Sequence, residues 1–176
     1  SWLADKADRM TFEAGDKIMK FEGCYGDSDF FKMMSYPLLK GTINTALNTP
    51  VGLAISEKMA KAFFGSADSA MGETMRFENT KDLKVSAVFA DLSNNVSSKF
   101  DWLVNWPTFL DLNNWAKEWG NNGPNTIIML RKDADPKAVE NKIKKFLDNY
   151  NKSQSASFRI ELGMQRFGDF YLNNVF

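Results

Sequence analysis

The sequence has 176 residues, 44% of them apolar, with 22 basic and 22 acidic side chains and no histidine. That length and apolar content suffice for one full domain or two small lobes around a real core, while the balanced charge gives no net field toward nucleic acid, an anionic membrane or an acidic substrate. Without histidine the chain lacks the usual proton shuttle and the commonest metal ligand, and its single cysteine, Cys24, makes neither an intramolecular disulfide nor a zinc cluster.

After a polar opening, residues 18–25 alternate as a strand, with Ile18 and Lys20 on one face and Met19 and Phe21 on the other. The run Gly26-Asp27-Ser28-Asp29 offers a turn and an N-cap for a short helix from Phe30 to Met34. Pro37 ends that helix, because it lacks an amide donor and biases Tyr36 toward extended backbone. A connection runs to Pro50, and Val51 to Ile55 is a short buried strand. Ser56 then caps a helix that carries Met59, Ala60, Phe63 and Phe64 on one side, and Gly65 closes it in a left-handed conformation.

Gly72 to Glu78 and Leu83 to Asp91 form a hairpin through residues 79–82, with Leu83, Val85, Ala87 and Phe89 on one face. Phe100 to Trp106 is a further strand, and Pro107 opens a helix that runs to about Trp119, where Gly120-Asn121-Asn122-Gly123-Pro124 stops it. The last third reads as β-α-β. Thr126 to Arg131 is a strand, Asp135-Pro136 starts a helix with Val139, Ile143, Phe146, Leu147 and Tyr150 on one stripe, and Phe158 to Met164 alternates strictly.

No stretch approaches the roughly 18 apolar residues of a membrane-spanning helix, and the start has no basic region followed by an apolar one. The first residue is Ser1 and the last three are Asn174-Val175-Phe176, so both ends read as cuts within a longer gene product.

Chemical constellations are sparse. Asp91, Asp101 and Asp111 lie near aromatic residues, as a glycosidase pair would, but coincidence is the better account among 22 acidic side chains. Phosphate-cradling glycine loops are missing, and Lys142, Lys144 and Lys145 read as the solvated side of an amphipathic helix. Trp102, Trp106, Trp115 and Trp119 crowd one region, and the one-turn spacing of the last two favours packing of a helix against a sheet over a ligand platform.

In order and spacing, four segments resemble the MacB-like periplasmic core domain of ABC-transporter permeases of the MacB and FtsX type. They are Gly26 to Gly41, Ala54 to Gly65, Met71 to Phe77 with Leu83 to Leu92, and Thr126 to Arg131 before Asp135-Pro136. Phe64-Gly65 followed by Gly72-Glu73-Thr74 is the most specific part, and the stretches from Trp119 to Pro124 and Phe167 to Leu172 look like the FtsX-like variant.

The resemblance implies an α+β fold of two interleaved lobes. A porter-like β-α-β lobe would take residues 1–42 and 106–176, and a smaller inserted, sabre-like α+β lobe would take residues 43–105. It implies a periplasmic domain of an inner-membrane protein that couples ATP hydrolysis by a cytoplasmic ATPase subunit or domain to conformational change, driving export or regulating the envelope. Flanking transmembrane helices, a membrane-fusion or envelope partner protein and a homodimer of the full-length permease follow from it. No catalytic residue, cofactor, metal or nucleic acid is expected. The candidate partner contact is the loop bearing Trp115, Trp119, Asn121 and Asn122, since large aromatics there exceed the needs of solubility. The alternative is a stand-alone envelope module that binds carbohydrate or peptide through the tryptophan cluster.

Overall fold

A computed structural model of the chain describes residues 8–93, 99–119, 124–150 and 160–169. It is a mixed α+β protein that divides into two compact units: Ser1–Asn114 with Gly123–Thr126, and Trp115–Asn122 with Ile127–Phe176.

The described residues of the first unit contain seven strands: β1 Asp8–Ala14, β2 Lys17–Gly26, β3 Leu38–Lys40, β4 Gly52–Ser56, β5 Thr74–Phe77, β6 Lys81–Phe89 and β7 Trp102–Asn105. Their order is β3-β6-β4-β7-β2-β1-β5, and β5 also pairs with β6. Six strands therefore close into a ring in which each has a partner on both sides, and β3 adds to the outer end of β6. Closure gives every ring strand a neighbour on both sides, which leaves fewer edges on which another chain could build. The ladders β2–β7 and β4–β6 are parallel, and the rest are antiparallel.

The ring interior is aromatic. Trp102 on β7 lies 5.7 Å from both Phe12 on β1 and Phe77 on β5, neither strand being a ladder partner of β7, so these contacts cross the ring. Tyr25 meets Trp102 edge-on at 5.5 Å. The indole N–H of Trp102 donates to the Phe21 carbonyl at 2.8 Å, which satisfies the only polar atom that its burial removes from water. A second core covers the opposite face of the same strands. Cys24, Ala54, Ala87, Phe89 and Leu103 pack there against Phe30, Phe31 and Phe100. Residues of β4 and β7 are buried on both faces, so neither strand shows the polar-apolar alternation of a half-exposed one.

Helix α1 spans Phe30–Met34 and turns both phenylalanines inward. It has no side-chain cap: the Asp29 N–H donates to Asp27 Oδ1 at 3.1 Å in the turn before it. Helix α2 spans Glu57–Phe64 and sits where its caps place it: Ser56 Oγ accepts the Met59 N–H at 3.1 Å while Gly65, at φ 84°, ends it. Lys17 Nζ donates to the Ala62 and Phe63 carbonyls at 3.0 and 2.7 Å, satisfying groups that a helix end leaves free. Ser56→Ala is expected to cost about 1–2 kcal/mol for the lost cap, read as a lower urea midpoint with an unchanged slope.

Several expectations need correction. The polar opening contains β1, whose Met10, Phe12 and Ala14 face inward between exposed Arg9 and Glu13. A short helix, α3 at Ala67–Ala70, follows α2. The hairpin turns at Glu78 and Asn79, both at positive φ, ahead of the expected position. The helix from Pro107 stops early. Helix α4 covers Trp106–Leu112, because the Asn113 side chain donates to the Phe109 carbonyl at 3.0 Å and its backbone leaves the helical region. A 3-10 turn at Asn114–Lys117 follows.

The second unit contains helix α5, Pro136–Ile143, capped by Asp135, whose side chain accepts the Lys137 N–H at 3.0 Å. The expected helix to Tyr150 is interrupted after α5 and resumes as a 3-10 turn at Phe146–Asn149. Thr126 to Arg131 is not a strand, and Ile160 to Met164 is not one either. Among the described residues no ladder joins either segment, and in the second the Leu162 N–H donates to the Lys144 carbonyl and the Met164 N–H to Glu140 Oε1, so these amides serve the helix side. Phe158 and Arg159 lie outside the described residues.

Candidate functional site

The tryptophans expected to act together have different surroundings. Trp102 is fully buried inside the ring. Trp106 stacks on Phe109 at 4.6 Å, at the start of α4. Trp115 and Trp119 belong to the second unit and are 43% and 50% exposed, which separates them from the core tryptophan. Asn121 and Asn122 lie outside the described residues.

Trp119 is the centre of a ring cluster that helical spacing alone did not reveal. Its indole lies face to face with Tyr150 at 4.2 Å and meets Phe146 edge-on at 5.6 Å, and Phe146 and Tyr150 are themselves 5.1 Å apart. Phe146 and Tyr150 are one turn apart on the apolar stripe read from the sequence, which was the available signal. All three rings remain substantially exposed. Each of Trp119 and Tyr150 covers one face of the other, so the cluster is a compact apolar knob and not an open cleft for a sugar ring. Leu147, between Phe146 and Tyr150 in sequence, turns inward.

The three aspartates have structural employment. Asp91 accepts the Lys58 N–H at 2.8 Å, adding a second cap to the start of α2. Asp101 accepts from Ser56 Oγ at 2.9 Å and from Lys58 Nζ at 3.2 Å, tying α2 to β7. Asp111 receives Lys81 Nζ at 3.3 Å, which joins the β5–β6 hairpin to α4. Their oxygens thus meet cations and helix amides instead of one another across a pocket. Among the described residues, no three His, Cys, Asp or Glu side chains converge as metal ligands. The lysine face of α5 is exposed, and Lys144 pairs with Glu161 at 3.1 Å.

Beside β3, the loop through Tyr36 borders a shallow open groove of about 500 Å³ lined by Phe31, Tyr36, Leu38, Thr42 and Ile43 among others. Tyr36 stacks on Phe30 at 5.6 Å and meets Phe100 edge-on at 5.4 Å. Burial, with electrostatic repulsion from Cys24 added, raises its phenol above the ordinary value of 10.0. A raised folded-state value means that the contribution to stability is complete below pH 10 and is lost as pH climbs through the folded value. Wild type is therefore expected to lose more stability than Tyr36→Phe in alkaline denaturation above pH 10; parallel curves for the two would contradict this.

No described helix is long and apolar enough to cross a membrane. No curated protein matches the sequence. Among solved structures, a domain of a protein described as a permease from Porphyromonas gingivalis aligns at a TM-score of 0.63 and 18% identity, covering 90% of this chain and 76% of that one. The periplasmic region of MacB from Actinobacillus actinomycetemcomitans aligns at 0.53 and 15%, covering 83% of this chain and 64% of that one. The extracellular domain of the noncanonic ABC-type transporter YknZ, from Gram-positive bacteria, aligns at 0.56 and 17%, covering 92% and 81%. At such identities these are likenesses of fold. The sequence pattern of the MacB-like periplasmic core domain matches residues 6–146, most of the chain. The protein therefore belongs to the family of MacB-like periplasmic core domains, extracytoplasmic parts of ABC-transporter permeases.

Proposed function

We propose that this domain transmits force outside the membrane, coupling ATP hydrolysis by a cytoplasmic ATPase subunit or domain to export or to control of an envelope protein. The family match over residues 6–146 carries the proposal. Its partners are the permease's own flanking transmembrane helices, a second copy of the permease and a membrane-fusion or envelope protein. A closed ring filled with aromatic side chains supports this reading, because a transmitting element has to resist deformation while its neighbours move.

The division into a porter-like lobe, 1–42 with 106–176, and a sabre-like lobe, 43–105, belongs to the same proposal. The β2–β7 ladder, with pairs such as Gly23–Trp102, joins strands from both sides of that division. Displacement is therefore expected between the ring as a whole and chain outside it, where no ladder has to break, and not along the line between these two lobes.

The proposed partner contact comprises Trp115, Trp119, Asn121 and Asn122. Truncating the half-exposed Trp119 ring removes contact area and its two aromatic pairs, with Tyr150 and Phe146, each worth about 0.5–1.5 kcal/mol. Trp119→Ala is expected to weaken partner binding about tenfold or more, and to lower the stability of the second unit by about 1–3 kcal/mol through the two lost pairs. A variant that exports normally would remove Trp119 from the contact.

The coupling itself is tested by replacing residues 8–169 of the membrane-embedded permease with a flexible linker and assaying it with its ATPase in proteoliposomes. Retained ATP hydrolysis with lost export is the expected outcome. Undiminished export by the shortened protein would rule out a transmitting role.

A further inference from the structure

We draw no further inference here: the strongest candidate, the open groove of about 500 Å³ beside β3 lined by Phe31, Tyr36, Leu38, Thr42 and Ile43, is an unpartnered surface on which nothing in the structure shows what covers it.

Discussion

Trp102→Ala is expected to destabilise the first unit by about 3–5 kcal/mol, the range for emptying a buried aromatic site. The indole is fully buried, touches three aromatic rings from β1, β2 and β5, and donates to the Phe21 carbonyl, so its removal opens a void at the centre of the ring and orphans an acceptor. Its neighbour in register supplies the converse experiment. A Cβ at Gly23 would stand 2.0 Å from the Trp102 ring, and that ring has no room to retreat. Gly23→Ala should therefore cost about 3 kcal/mol, the upper end of ordinary overpacking. The two changes are coupled: in a Trp102→Ala background the added methyl enters the void, and Gly23→Ala should become nearly neutral. Urea unfolding of the four proteins measures this cycle, and additive costs would show that the indole does not lie over Gly23.

Gly41→Ala is the second large effect. Gly41 has φ 82° at the end of β3, and an added Cβ would lie 2.6 Å from the Ser86 carbonyl oxygen and 3.0 Å from the Ala87 Cα. Both atoms are backbone of β6, so relief requires strand movement and not a rotamer change. Gly65 provides the control, with φ 84° and no atom within 4 Å of its added Cβ. Gly65→Ala isolates the conformational cost of a left-handed residue, about 1–2 kcal/mol. Gly41→Ala should exceed it by a further 2 kcal/mol or so from the contact with β6. Equal losses at the two positions would mean that β3 does not lie against β6 as described.

What could be read from residue order was whatever depended on neighbours in sequence. Ser56 and Gly65 announce the two ends of α2 because a cap acts within a turn. The β5–β6 hairpin is legible for the same reason, since Leu83, Val85 and Ala87 alternate beside a short polar turn. The ring was not legible, because its closure rests on pairings such as Phe12 with Phe77 and Gly23 with Trp102 that no local pattern encodes. Strand β1 escaped for a subtler reason: exposed Arg9 and Glu13 alternate with Met10 and Phe12, and the polar members dominate its composition. Conversely, the apolar run at Ile127 to Leu130 has the periodicity of a strand but no partner ladder among the described residues, and Ile128 and Met129 are left largely exposed.

The same limit governs the candidate surface. The one-turn spacing of Trp115 and Trp119 favoured packing of a helix against a sheet, but α4 ends at Leu112 and both rings are half-exposed, because aromatic rings serve core and surface alike. Trp102 became core through its β7 neighbours, whereas Trp119 found Tyr150 about thirty residues away. The family, by contrast, was readable from the order of several weak signals, each of which ordinary helix and strand grammar explains on its own.

The most direct measurement is the side of the membrane on which this domain resides in the living cell. Cys24 is buried, so Ser28→Cys, in the exposed turn before α1, adds a reactive thiol to this domain, and the unsubstituted protein labelled in parallel gives the background. With the outer membrane permeabilised and the inner membrane intact, a membrane-impermeant maleimide is expected to label Cys at position 28 of the full-length protein. Labelling only after the inner membrane is opened would place the domain in the cytoplasm and contradict the account.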